Sequence, residues 1–536
     1  MSKPRGVRMN FIDRGIAVFS PQMASRRMFA RSVLSLYEGG RSTKFRRKSK
    51  DNSSSERLVV RDAATVRATV RDLERNYDLV DGALTTLVRN VVGPGGIMIE
   101  PTPRKNTGGA EYDSIDDDFA RILLDEFRLW AKRPEVTRTL SWAQCQTLAC
   151  RSWLRDGDQF TQLVEGIIPG LRHASAVPLS LELLEADVVP LEYEDSTKRI
   201  SAGIERNAWG QPINYWVYKE HPGNGGWMSE GALKSVPADR FLHLAVRKRL
   251  SGLRGISLLA SAIDRLLDIK DYESSERVAA RIASRITAFI KRDKDMAWAP
   301  PEEINPAERD FHMEAGQIFT DFLPGEELSI ANPNRPNSLL GDFVMSMMRS
   351  ASRAFGLSYS SMSGNYDGTY SAQRQELVEA YDGYRAMTAE FVSGFVQPVW
   401  ERWVQMAIVS GRIKVPAHIR AETVAQATFR GPKMPWIDPV KEATAIKTLA
   451  RGGIQSVTES LAERGIRLQD SVELFARERG LFDEMGLVFD TDPAHVTSTG
   501  AAQANSDTDT AEEGQGRSRA SRSRPARGAT TPGAAP

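Results

Sequence analysis

A few stretches hold residue types that could do chemistry. Gly93-Pro94-Gly95-Gly96 is rich enough in glycine to cradle a phosphate. No Lys-Ser or Lys-Thr follows it, as a nucleotide loop requires, so it reads as a helix stop. Asp113, Asp116, Asp117 and Asp118 could gather a divalent cation. They stand at the head of an apolar periodic run, Phe119 to Trp130, where acids suit the helix dipole. Glu185 and Asp187 lie two apart in LSLELLEADVV, residues 179–189. On a strand they would share one face as a carboxylate pair. No lysine follows at nuclease spacing, and the structural reading is preferred. The histidines (His173, His221, His243, His312, His418, His495) show no metal-binding spacing. H-E-x-x-H, G-x-S-x-G and Walker A patterns are absent. Cys145 and Cys150 would face different sides of a helix, as buried thiols in a reducing compartment. The residues thus predict no enzyme, no cofactor and no metal.

The elements that carry these residues are mixed. At 536 residues the chain is expected to form about two to four domains. No apolar run reaches the roughly 18–20 residues that cross a bilayer, so no membrane partner is expected. The start lacks a signal-peptide core, which predicts cytoplasmic synthesis. Charge is uneven. Residues 1–50 hold 13 Lys and Arg against 2 Asp and Glu, and residues 51–490 hold 53 against 62. A basic arm, with Arg46, Arg47 and Lys48 in a serine-rich linker, thus precedes an acidic body. The arm reads as a solvated tail, or as a flexible contact to nucleic acid or an acidic partner.

Helical periodicity fills 58–92, with a short amphipathic stretch at 23–36 before it. Ser141 to Arg155 reads as a helix. Gln159–Val164, Leu179–Val189 and hairpins within 203–250 read as strands, giving an α+β unit with small antiparallel sheets. Gly255 to Ile290 then reads as one helix of about 35 residues, roughly 50 Å long. Acids crowd its first half (Asp264, Asp268, Asp271, Glu273, Glu276), and bases crowd its second half (Arg277, Arg281, Arg285) and the residues beyond (Lys291, Arg292). Residues 291–336 are proline-rich, with strand candidates at Ile318–Phe322 and Glu327–Ile330. Leu339–Phe355 reads as a helix that Gly356 ends. A second long helix spans about 372–410, with a kink expected at Pro398. Three shorter helices are expected at 438–453, 457–464 and 471–481. Residues 491–536 are low in apolar content and predict a disordered tail.

Several segments, in this order, resemble the lambda-type portal proteins of tailed bacteriophages. They are MNFIDRGIAVFSP, RNYDLVDGALTTLVRNVVGPGG, GIERNAWGQPINYWVYKEHPG, RGISLLASAIDRLLDIKDYESSE, LPGEEL, SRAFGLSYSSMSGNYDGTYSAQR and WIDPVKEATA. In this chain the typical glutamine ahead of the Arg254-Gly255 pair is missing.

The resemblance implies a predominantly helical α+β portal fold with long stem helices, sheets in wing and clip, and a helical crown. It divides the chain into a basic arm (1–57), wing (58–250), stem helix (251–290), clip (291–336), second stem helix (337–355), tunnel loop (356–371), kinked helix returning to the wing (372–436), crown (437–490) and tail (491–536). It further implies a homo-oligomeric ring of twelve at one capsid vertex of the virion, assembled in the host cytoplasm. Terminase drives double-stranded DNA through such a ring without sequence specificity, and the DNA is later ejected. Scaffold and major capsid proteins and a head–tail connector are the other implied partners. On this reading Tyr359, Ser360, Ser361, Met362, Asn365, Tyr366 and Tyr370 face the DNA, with Phe355 nearby. Loop packing between subunits is an equal reading of the aromatics. Arg285, Lys291, Arg292 and Lys294 would be basic residues of channel or clip. A metal-dependent DNA-processing enzyme and a non-channel head-assembly adaptor are the alternatives.

Overall fold

The computed structural model describes residues 15, 16, 18, 20–23, 26, 52–106, 114–224, 232–284, 288–292, 326–330, 340–432, 439–462, 464 and 466–485. The chain divides into two units. The first, residues 1–445 with 463–465, begins its described body with helix α1 (Ser55–Asn76), whose N-cap Ser54 accepts the Arg57 N–H at 3.3 Å. Extended backbone at Tyr77 separates α1 from α2 (Asp78–Val91), which opens with Asp78 and Asp81 in its first turn. The helical run expected over 58–92 is therefore two helices. Their stripes meet the core through Val70, Leu73, Val80, Leu84, Leu87 and Val91. Gly93 and Gly96, both at positive φ, then turn the chain into β1 (Met98–Pro101).

The aspartates before Phe119 serve as cap and first turn. Asp116 accepts the Phe119 N–H at 2.8 Å and starts α3 (Asp117–Ala131). Ser141 and Gln144 form a reciprocal capping box on α4 (Trp142–Asp156), where Cys145 and Cys150 are free and buried. Strand β2 (Asp158–Glu165) lies between β3 (Leu179–Leu184) and β8 (Phe241–Ala245) in a three-stranded antiparallel sheet. Strands β4 (Ile200–Ser201), β5 (Ile204–Arg206), β6 (Pro212–Tyr218) and β7 (Leu233–Pro237) form a second antiparallel sheet in that order. The strand expected over 179–189 stops at Leu184, and Ala186–Val188 form a 3-10 turn. Arginines draw this turn inward. Arg254 binds the Ala186 carbonyl and Arg67 binds Asp187, so Glu185 and Asp187 share no strand face.

The expected 35-residue helix is shorter. A 3-10 turn at Leu258–Ser261, capped by Ser257, leads into α5 (Ile263–Ser284). Ala288–Arg292 is strand β9, paired antiparallel with β10 (Glu326–Ile330). The run Ile286-Thr287-Ala288-Phe289-Ile290 is β-branched and aromatic, and its apolar spacing suits either period. Helix α6 (Leu340–Phe355) follows, then a single turn α7 (Tyr359–Ser363) and α8 (Tyr370–Phe391). A π-helical turn at Val392–Val396 joins α8 to α9 (Gln397–Val409). Pro398 has no N–H for the ladder, and the wider turn just before it takes up the irregularity. Strand β11 (Ala427–Arg430) pairs with β1, so the chain's return is stitched to its start.

The largest of three apolar clusters joins α1–α4 to α8 and α9, and a second one lies around Phe160, Tyr215 and Phe241. Phe127 of α3 lies 5.2 Å from Trp400 and 5.1 Å from Trp403 of α9, and Trp142 of α4 stacks on Phe395 at 5.5 Å. The second unit, which takes in residues 446–462 and 466–536, holds the end of α10 (Pro439–Arg451), then α11 (Val457–Ala462) and α12 (Leu468–Met485). Helix α12 buries no residue in the single chain. Among the described residues no helix is long and apolar enough to cross a membrane. The core makes a direct prediction. Trp403→Ala is expected to lower unfolding free energy in urea by about 4 kcal/mol. Trp209→Ala, at a side chain 95% exposed, should change it by less than about 0.5 kcal/mol.

Candidate functional site

The feature that stands apart from the core is an out-and-back arm. The base of α5 is buried through Ala262, Ile263, Leu266 and Ile269. Farther along, the helix emerges, and Val278 is 50% exposed. The β9–β10 pair follows, and α6 returns with Ala351, Ser352 and Phe355 buried at its end. Tyr272 of α5 meets Phe343 of α6 edge-on at 5.1 Å, while Phe343 remains 46% exposed. At 1.5 Å per residue α5 is about 33 Å long. Tyr77, in the break between α1 and α2, stands near Glu273 of α5, whose charge adds to burial in raising the phenol above its ordinary value.

A polar joint holds the arm's root. Arg254 is fully buried. Its Nε donates to Asp158 Oδ2 at 2.6 Å, one Nη reaches the Val189 and Ala202 carbonyls at 3.0 Å, and the other reaches Ala186 O at 3.0 Å. The guanidinium also lies 5.0 Å from the Phe160 ring. Asp158 Oδ1 accepts the Gly255 N–H at 2.6 Å and contacts His243 Nε2 at 3.0 Å. Two glycines let the backbones cross here. A Cβ on Gly157, at φ +88°, would fall 2.3 Å from Ile256 C, and one on Gly255 would fall 2.0 Å from Gly157 O. On β8, the residue after His243 is Leu244, which fills the space left by Gly394 in the π turn. One strand therefore touches both the arm's root and the π turn of the long helix.

Electrostatics at the joint favour one charge state. Burial would raise the Asp158 carboxyl, but the Arg254 charge and the bonds from His243 and Arg254 outweigh it and hold it well below the carboxylate range. Burial lowers His243, with Arg254 and Arg247 adding to that and Asp158 opposing it. A neutral His243 donating from Nε2 to an ionised Asp158 fits both directions.

The residues expected to face DNA divide. Phe355, Ser360 and Met362 are buried in the single chain. Ser360 is held by Glu376, at 3.0 Å to its hydroxyl, so that α7 packs inward. Tyr359 is half-buried under Arg349, 5.1 Å from the guanidinium carbon, beside clefts of about 480 and 360 Å³. Ser361 donates its N–H to Ser358 Oγ, and Asn365 accepts the Asp367 N–H. Tyr366 is 65% exposed, and Tyr370 opens α8. Lys291 and Arg292 lie on β9, and Arg285 and Lys294 lie outside the described residues.

Sequence reasoning missed the joint. Asp158 reads as part of a turn, and His243 as one scattered histidine. The Arg254-Gly255 pair was the only signal, and nothing in spacing links it to a carboxylate 96 residues earlier.

The carboxylate pair has a different answer. Among the described residues one trio with metal-ligating atoms, Glu185, Asp187 and His221, brings those atoms within 4.8 Å of one another. Arg71 Nη2 already sits 2.7 Å from Asp187, 3.3 Å from Glu185 and 2.8 Å from Asp156. The guanidinium supplies the positive charge there and repels a cation. The group works as an ion-pair brace between α1, the end of α4 and the turn after β3.

The family described as "Phage portal protein, lambda family" matches residues 41–387. A probable portal protein of Halomonas phage phiHAP-1 is 25% identical over 424 residues, covering 76% of this chain and 78% of that protein. Portal protein B of Escherichia phage lambda is 19% identical over 319 residues, covering 53% of this chain and 58% of its own length. Among solved structures, the neck of a native gene transfer agent particle aligns with a TM-score of 0.46 at 13% identity, covering 75% of this chain and 92% of that one.

The joint's charge state makes a pH prediction. Below its ordinary value of 6.5, His243 takes a proton in the unfolded chain before it does so in the fold, so stability falls with pH. The Asp158 contribution is complete above its ordinary 3.8 and is lost as pH falls through the depressed folded value. The urea midpoint should therefore drop between about pH 8 and about pH 5, and His243→Leu should flatten that slope. An unchanged slope in the variant would contradict the assignment.

Proposed function

The chain belongs to the lambda family of phage portal proteins, and from that premise we propose that copies of it close into a ring, twelve in number, around a channel for double-stranded DNA. Terminase pumps DNA in through the channel during packaging, and DNA leaves through it on ejection. The ring sits at one vertex of the virion capsid, nucleates head assembly with scaffold and capsid proteins, and receives the connector to the tail.

The observation that carries this reading is the out-and-back arm. Helices α5 and α6 leave a well-packed body and return to it with apolar side chains still exposed. Such a pair needs neighbours, and a ring of identical subunits supplies one on each side. On this reading the arm is the stem, and β9 and β10 belong to the clip, where terminase and later the connector dock. The body from α1 to β8 is the wing, and α10 to α12 belong to the crown. The exposed Tyr366 and the surface around Tyr359 are the parts of the loop segment left to meet DNA. The acidic body suits a conduit, because each cationic contact to phosphate would add salt-dependent grip. The metal-enzyme alternative loses support because Arg71 occupies the carboxylate trio.

Native mass and negative-stain microscopy test the ring. Closed rings with a hole wide enough for a B-form duplex, roughly 20 Å across, are expected. Purified protein that stays open or monomeric even with scaffold and capsid protein present would overturn the reading. The assembled ring should bind a short duplex no tighter than about micromolar at about 0.15 M salt. Nanomolar binding would contradict a channel through which DNA slides.

A further inference from the structure

We infer that the basic segment 41–50 at the N-terminal side of the body docks as an added strand on the open edge of β11, in an acidic groove that this edge forms with α9. Docking of this kind needs no ring. β11 pairs with β1, and among the described residues no other strand meets it. In an antiparallel ladder successive residues turn their N–H and C=O to alternate sides. The Thr102 N–H donates to Gln426 O at 2.9 Å, which turns residues 426, 428 and 430 toward β1. The main-chain groups of Ala427 and Phe429 are therefore turned to the open edge. Both residues line a groove of about 510 Å³, together with Gln397, Glu401 and Gln405 of α9 and with Glu422.

The groove's chemistry selects its occupant. An unpaired strand edge accepts an extended segment through main-chain bonds, and the side chains along the groove decide which segment. Here the charge is negative. Glu401 accepts from Gln397 Nε2 at 2.8 Å, Glu422 is exposed, and among the described residues neither carboxylate has an ion-pair partner. Residues four apart on a helix repeat at about 6 Å, and residues two apart on a strand at about 6.8 Å. A strand with a cation at every second position therefore keeps step with the α9 row over a few residues. Segment 41–50 reads RSTKFRRKSK, with Lys44, Arg46, Lys48 and Lys50 at alternate positions and no acid or proline among them. It keeps every N–H for a ladder, and its long stems would cover the Phe429 ring while their charges reach the carboxylates. A short run of contacts also joins the segment's point of attachment to this edge. Arg249 Nη1 donates to Ser53 O at 3.0 Å, and Arg247 stands near Glu390 of α8. Thr388, two residues before Glu390, packs on the residue after β11, where a Cβ on Gly431 would fall 2.6 Å from its methyl carbon.

Hydrogen–deuterium exchange on the full-length protein reads the edge directly. Wild type is compared with three variants. The first carries Lys44→Gln, Arg46→Gln and Lys48→Gln. The second carries Glu401→Lys and Glu422→Lys. The third is a charge swap that joins Glu401→Lys and Glu422→Lys to Lys44→Glu, Arg46→Glu and Lys48→Glu. Amides of the β11 edge, 427 and 429, should exchange about tenfold faster in the first two variants than in wild type, and the swap should restore most of the protection. Protection in wild type that falls on dilution assigns the docked segment to another copy, and protection that holds assigns it to the same chain. If the second variant gives no soluble protein, the first decides alone, since it leaves the groove itself unchanged. Equal exchange in all the proteins would overturn the inference. Faster exchange in both charge variants with no recovery in the swap would overturn it too, as a loss of stability alone. A first variant that loses affinity for a short DNA duplex while 427 and 429 keep their wild-type exchange would assign the basic segment to nucleic acid instead.

Discussion

The structure depends on one buried ion pair, Asp158 with Arg254. It stands where two sheets, a strand leading to the π turn of the long helix and the root of the projecting arm all meet. Taking both charges out of water is expensive, and each must be bonded on nearly every side to be tolerated. That demand shapes the neighbourhood. It explains why Ala186–Val188 leave the strand to offer a carbonyl, why glycines occupy positions 157 and 255, and why His243 is buried and neutral.

The rest of the subunit divides into parts that are complete alone and parts that are not. The body's core, with Phe127, Trp130, Trp142, Trp400 and Trp403 in mutual contact, is filled by one chain. Helices α5 and α6 and, in the second unit, α12 keep apolar side chains exposed. Apolar surface left in water is unfavourable at roughly 25 cal/mol per Å², so these faces favour association. On the proposed reading, neighbouring subunits of the ring finish these surfaces.

Much of this was legible in the residues. The helix start at Ser141, the acids ahead of Phe119 and the glycine stop at Gly93 are local, and local chemistry decides them. The ends of longer elements were not. Residues 288–290 suit helix or strand by pattern, and pairing with Glu326–Ile330 decides for strand. Where a kink was expected at Pro398, the helix has a π turn just before it, in which Gly394 accepts Leu244 from a distant strand. Burial around α7 was not legible either, because Ser360, Met362 and Phe355 read in sequence like exposed neighbours such as Tyr366. Burial depends on how α7 folds back on Glu376, a contact that no spacing announces.

The central claim is that α5 and α6 form the wall of a central channel. The most direct test is a cryo-electron microscopy map of the assembled particle at a resolution that separates helices. The account predicts paired helices at the ring's narrowest radius, lining the hole, with the β9–β10 end projecting from the ring. A map with those helices on the outer rim, or with no central opening, would contradict it.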